Sequence, residues 1–121
     1  MPTWKKDLDR FLKLADIKPG QVVYDLGCGD GVVVMAAAKK GAKAIGLEVS
    51  ILPFLMACVR KIFTRSQAQI KFRDFWLVDL SEADVVYFFL IPRIYEQLKH
   101  KLEKELKPGA KVIAYVWPVE A

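Results

Sequence analysis

One histidine, His100, and two cysteines, Cys28 and Cys58, are the only zinc-type nitrogen and sulfur ligands in this 121-residue chain. The cysteines stand far apart and form no ligand pattern, so no structural zinc site and no other metal is expected. They read instead as free, buried thiols, which fits a reducing compartment. Long apolar runs are missing as well. None reaches the roughly 18 residues that would read as a bilayer-spanning helix, so no membrane partner is expected. The opening stretch MPTWKKDLDRFLKLAD is amphipathic and of mixed charge. It lacks the apolar centre of a secretory signal, and the expectation is a cytoplasmic protein. Repeats, low-complexity tracts and linkers are absent too, which leaves residues 1–121 as a single domain.

What is present describes a folded chain. Hydrophobic residues make up 54% and charged residues 27%, a balance that can bury a core. The formal charge is +5, with lysines and arginines scattered along the length. Such a balance permits an acidic partner such as RNA without requiring one.

The apolar spacing alternates between two periods. Trp4, Leu8, Phe11, Leu12 and Ala15 share one helical stripe, within an N-terminal helix placed at 1–16. KPG at 18–20 breaks it. QVVYDL reads as a short β-branched strand, VVVMAAAKK as a helix that Gly41 can end, and AKAIGLEV as a second strand. Ser50 is a candidate cap for a helix running to about Thr64, with Pro53 tolerated in its first turn. AQIKF, ADVVYFFLI and KVIAYVW complete the strands, and Pro92–Leu106 is an amphipathic helix between the last two. Strands alternating with helices predict an α/β fold, a Rossmann-like three-layer αβα sandwich over 20–117. Its parallel sheet should have about five strands in the order 3-2-1-4-5.

Between the first strand and the first core helix lies a knot of glycines and carboxylates: Asp25, Leu26, Gly27, Cys28, Gly29, Asp30, Gly31. A strand that ends in glycines and opens a helix lets backbone approach a ligand where side chains would collide. Glu48 ends the next strand, where a carboxylate can accept from both hydroxyls of a ribose. A nicotinamide dinucleotide would need glycine at 32, which is Val32, and a Walker loop would need a Gly-Lys-Ser/Thr ending, which is absent. Carboxylates around the knot repel a pyrophosphate and suit a ligand with an ammonium and a sulfonium. S-adenosylmethionine is that ligand.

VVYDLGCGDGVVVMAAAKKGAKAIGLEVS resembles the first two motifs of class I S-adenosylmethionine-dependent methyltransferases. FRDFWLVDLSEADVVYFFLIP and LKHKLEKELKPGAKVIAY are similar to the small protein lysine methyltransferases of archaea and their mitochondrial relatives. The resemblance implies S-adenosyl-L-methionine as cofactor, S-adenosyl-L-homocysteine as product, and a protein lysine as methyl acceptor. Position by position, it implies that Asp25, Gly27, Gly29 and Asp30 surround the methionine portion and that Glu48 holds the ribose. Val49 would pack on the adenine, Asp74 would accept from its amino group, and Phe75 would lie beside the ring. Phe89, Leu90, Ile91 and Pro92 would line the methyl-transfer pocket. Plain structural alternatives stand beside these: a turn cap for Asp25 or Asp74, a surface salt bridge for Glu48, core packing for the run at 88–91.

Methyl transfer from a sulfonium needs alignment and exclusion of water rather than a fixed catalytic motif, and none is visible. Tyr87, Tyr115 and Asp79 are candidate acceptors for the lysine proton, core packing being the alternative for both tyrosines. The Asn/Asp-Pro-Pro-Tyr/Phe motif of base-amino methyltransferases is replaced by Leu90-Ile91-Pro92-Arg93, and no cysteine is placed for attack on a pyrimidine. An RNA acceptor and a non-catalytic cofactor-binding module remain the rival readings. The antiparallel strand pair usual after strand five is not expected here, which leaves 111–117 as an apolar edge. Apolar residues cover more than one face of helix 51–63. A homodimer through either surface is the expectation.

Overall fold

The computed structural model describes residues 5–115. In chain order the elements are α1 (Lys5–Ala15), β1 (Val22–Leu26), α2 (Val32–Lys39), β2 (Lys43–Glu48), α3 (Ile51–Thr64) and β3 (Gln69–Phe72). A short 3-10 turn (Phe75–Leu77) then leads to β4 (Val85–Phe89), α4 (Pro92–Glu105) and β5 (Lys111–Tyr115). All strand pairings are parallel and the order is β3-β2-β1-β4-β5, as the alternation of elements predicts.

Parallel strands joined through helices bury both faces, so each strand supplies apolar side chains in both directions. Val23 and Val85 point into one core with Phe11 and Ala15 of α1 and Val34 and Ala37 of α2. Leu47, Val86 and Phe88 point into a second core with Leu98 and Leu102 of α4. Right-handed crossovers explain the division. The chain steps one way from β1 to β2 and β3, then returns to the far side of β1 for β4 and β5. That reversal places an open crevice beyond the carboxyl ends of β1 and β4.

No α-helix bridges β3 and β4. The crossover instead lies against α4, held by one ammonium: Lys101 Nζ donates to the carbonyls of Val78 (2.8 Å) and Trp76 (3.4 Å). The same nitrogen pairs with Glu105 at 2.7 Å, and Glu105 accepts from the Leu80 amide at 3.0 Å. On the opposite face α1 is tied to β5 by Tyr115, whose hydroxyl donates to Asp7, and by Lys111, whose Nζ donates to the Ala15 carbonyl.

Some boundaries differ from expectation. Trp4 and residues 116–117 of the fifth strand lie outside the described residues. The fourth strand is shorter than its apolar run, since the chain turns at Leu90 to begin α4. Ser50 occupies the position before α3, yet its side chain makes no capping bond; the carboxylate of Glu48 accepts the Ser50 amide instead. Among the described residues, no strand is antiparallel, and β5 is an edge strand with Val112 45% exposed.

Gly46 shows how closely these layers approach. A Cβ there would stand 2.8 Å from Cys28 Cβ and 3.2 Å from Val34 Cγ1. Gly46→Ala should therefore destabilise the fold by about 1–3 kcal/mol through overpacking. Urea unfolding measures it, and a midpoint equal to wild type would mean that the loop carrying Cys28 yields freely.

Candidate cofactor site

The loop after β1 folds over the end of β2. Gly27 and Gly29 have φ of 82° and 54°, conformations that side chains resist, and a Cβ at either would meet nothing within 4 Å. Space above the loop is thus open. Gly31 serves packing instead, since a Cβ there would lie 2.9 Å from Met35 Cε and 3.3 Å from Ala57 Cβ.

Most of the loop's amides are already engaged. Gly27 and Cys28 donate to the carbonyl of Leu47, Gly29 donates to Glu48 Oε1 at 2.8 Å, and Gly31 donates to the Cys28 carbonyl. Val32, first in α2, donates to Asp30 Oδ1 at 3.3 Å. A phosphate site works by presenting such amides to an anion. Here they are turned inward, and what faces the crevice is carboxylate.

Three carboxylates gather at this point. Asp25 is 2% exposed and lies in register with Gly46 on one side and Tyr87 on the other. Burial, then the charges of Glu48 and Asp30, push its carboxyl up to about 8, so it is largely protonated at neutral pH. Glu48 is 8% exposed, which removes the surface-salt-bridge alternative. Besides Gly29, it accepts from the amides of Val49 at 3.2 Å and Ser50 at 3.0 Å. Asp30 adds a loose ion pair to Arg60 of α3 at 3.7 Å. A set of acceptors with a shared surplus of negative charge fits a ligand that brings donors and positive charge.

Other expected residues divide between rim and core. Val49 is 58% exposed at the lip beside Glu48. Arg73 donates its amide to the Glu48 carbonyl, which brings Asp74 to the same rim. Asp74 starts the 3-10 turn by accepting from the Trp76 amide at 3.0 Å, so the turn-cap alternative holds for one of its oxygens. Phe75 is half-buried, packs on Trp76 and belongs to the α4-side core. Leu26 and Cys28 keep their side chains in the two cores and offer the crevice only backbone. Burial first, then the charges of Asp25 and Glu48, raise the Cys28 thiol well above its usual range, which makes it inert.

Of the run after β4, Phe89, Ile91 and Pro92 are exposed, whereas Leu90 packs into the α4-side core. The ring of Phe89 rests on Tyr115 at 5.3 Å. Tyr87 is the neighbour that spacing could not reveal. Parallel register sets it beside Asp25, and burial with that carboxyl raises its phenol far above the ordinary value. It packs edge-on against Phe11 at 4.9 Å, the core role that was its alternative. Asp79 caps Ser81 in the turn leading to β4.

A parallel sheet in this order, carrying a glycine loop after β1 and a carboxylate at the end of β2, is the architecture of class I S-adenosylmethionine-dependent methyltransferases. Within that class the chain belongs to the ANTKMT methyltransferase domain family, whose model matches residues 25–121. A protein-lysine N-methyltransferase of Saccharolobus islandicus is 40% identical, over 98% of this chain and 76% of its own length. The adenine nucleotide translocase lysine N-methyltransferase of Mus musculus is 34% identical over 94% of this chain, which spans 51% of that relative. Among solved structures, an RNA methyltransferase from Salinibacter ruber in complex with S-adenosyl-L-homocysteine superposes with a TM-score of 0.88. It is 34% identical, covering 94% of this chain and 76% of that one.

Asp25 gives this site a pH signature. Its proton is held more tightly in the folded chain than in the unfolded one. Its contribution to stability is therefore fully present below the ordinary 3.8 and is lost as pH rises to about 8. Asp25→Asn should match wild type at the acid end of that interval and exceed it at the alkaline end in urea unfolding. Parallel pH profiles for the two chains would show that Asp25 ionises without penalty.

Proposed function

We propose that this domain transfers a methyl group from S-adenosylmethionine to the side-chain amine of a protein lysine. The observation that carries the cofactor assignment is the crevice itself, where the amides of Gly27, Cys28, Gly29, Gly31 and Val32 are satisfied internally and the carboxylates of Glu48, Asp30 and Asp25 face a single loosely held cation, Arg60. Bound there, S-adenosylmethionine supplies a methyl group activated on a sulfonium. Asp25 and Asp30, with the open backbone at Gly27 and Gly29, take the methionine portion. Glu48 already accepts from three amides, two of them on Oε2, which leaves about one acceptor position, on Oε1, for a ribose hydroxyl. Val49 and Phe75 flank the adenine, and Asp74 accepts from its amino group.

Phe89, Ile91 and Pro92 form an apolar mouth for the acceptor. A lysine must shed its proton first, which costs about 4.6 kcal/mol at pH 7 from a pKa near 10.4. An apolar mouth lowers that figure by disfavouring the ammonium, and then the free amine attacks the methyl carbon as the carbon–sulfur bond breaks. Tyr87 is a poor proton acceptor, because it is a neutral phenol beside Asp25. The lysine assignment draws on the archaeal and mouse relatives. An RNA acceptor draws on the Salinibacter protein and on the basic charge, and a non-catalytic module remains the reading of another class.

A cytoplasmic location belongs to the same proposal. Among the described residues, no helix is long and apolar enough to cross a membrane. Self-association, where it occurs, is assigned to β5, an edge strand of the sheet among the described residues.

Labelled cofactor, offered together with a protein mixture and total RNA, should label the protein fraction. Label confined to RNA would overturn the lysine assignment, and label in neither would favour the non-catalytic module. In calorimetry Glu48→Ala should weaken cofactor binding by about 1–3 kcal/mol. Unchanged affinity would remove that side chain from the site.

A further inference from the structure

Helix α3 buries fewer of its residues than any other described α-helix. Ala57 alone of its 14 residues is fully buried. Leu52, Leu55, Met56, Val59, Ile62 and Phe63 are between 48% and 82% exposed. At about 100° per residue these six fall in one arc of roughly 120°, on the side away from the sheet. No polar side chain interrupts the arc. Arg60 stands near one margin and Arg65 at the C-terminal end, Lys61 lies on the opposite side of the helix, and α3 contains no acidic residue at all, the nearest carboxylate on this face being Asp30. Lys71 and Arg73 follow, exposed, on and just beyond the neighbouring edge strand.

A contiguous apolar face of this kind marks an interaction surface. Charge decides between its occupants. A second copy would bring the same basic side chains against themselves, and the one carboxylate on this face, Asp30, is already paired with Arg60. A protein groove could take the arc on apolar anchors, but only an acidic rim would match Arg60, Arg65, Lys71 and Arg73. An anionic lipid surface supplies apolar depth and negative charge together, and an apolar arc with basic side chains beside it is how a helix lies in a bilayer interface.

We propose that α3 docks the domain on an anionic bilayer, its apolar arc set among the outer acyl segments and Arg60 and Arg65 reaching headgroup phosphates. Arg60 can do so because its ion pair with Asp30 is long, at 3.7 Å. The stems of such side chains lie along apolar surface while their heads stay wet. This revises the expectation of no membrane partner, which rested only on the lack of a spanning run. A 14-residue helix lies on a bilayer rather than across it. Because α3 begins directly after Glu48, Val49 and Ser50, docking would also set the cofactor crevice beside the lipid surface.

Co-sedimentation with vesicles tests the assignment. The whole chain should bind vesicles of equimolar phosphatidylcholine and phosphatidylglycerol, bind phosphatidylcholine alone more weakly, and release at high salt. Leu55→Glu/Val59→Glu changes two exposed positions of the arc and should lower partitioning at least about tenfold, through lost apolar burial. Circular dichroism and cofactor calorimetry should show that variant folded and cofactor-competent. Arg65→Glu should weaken binding to the anionic vesicles and leave the neutral ones unchanged. Three outcomes would overturn the proposal: no binding to either vesicle, equal binding by wild type and the double variant, or a solution dimer that the double variant dissociates.

Discussion

The carboxylate of Glu48, withdrawn from water at the end of β2, is the interaction on which the crevice depends. It gathers the amides of Gly29, Val49 and Ser50, and so joins the glycine loop, the end of a central strand and the entry to α3. A buried carboxylate is tolerable only with such donors, and backbone amides in a tight turn are tolerable only with such an acceptor. Each solves the other's desolvation. With the amides thus occupied, the negative potential of the site is left to Glu48 and Asp30, beside a largely protonated Asp25. Selectivity for a cationic ligand over a phosphate then follows from where the N–H groups point, not from the glycines alone.

Strand order and crossover pattern were legible because they follow from simple alternation. Val22–Leu26, Lys43–Glu48 and Val85–Phe89 are short apolar runs, each joined to the next by a helix or a stretch long enough to cross the sheet. The crossover from β3 to β4 was less legible. Its cover is set by Lys101, a residue of α4 that local pattern would assign to a solvated face. Ser50 misled for a related reason. It has the right chemistry for a cap, but its own amide was claimed by Glu48 and its side chain took no part.

The site was legible in its residues and illegible in their directions. Spacing brought out Asp25, Glu48 and the glycines, yet gave no sign that the loop amides turn inward or that Asp25 lies 2% exposed. Period-2 alternation does carry one clue. Asp25, Glu48, Tyr87 and Phe89 all face the α1–α2 side of the sheet, and once register is known they stand in neighbouring columns. Register comes from tertiary packing, so Tyr87 could not have been set beside Asp25 from sequence. Leu90 shows the reverse case: its neighbours open to the crevice, and its place in the alternation turns it into the other core.

The two faces of the sheet differ in how they come apart. Over α1 and α2 the cover is packed hydrocarbon, and exposing it means unfolding helices whole. Over β3 and β4 part of the cover is a non-helical strap fastened by Lys101 and Glu105 and seated by the buried Leu80, and releasing it breaks a handful of polar contacts and uncovers part of the α4-side core without parting a strand. Such an opening is local, its cost set by the hydrocarbon it uncovers. Amides of residues 76–80 would then exchange with solvent well before those of the strands they cover. The domain thus has a rigid side and a breathing side, separated by the sheet that holds its crevice.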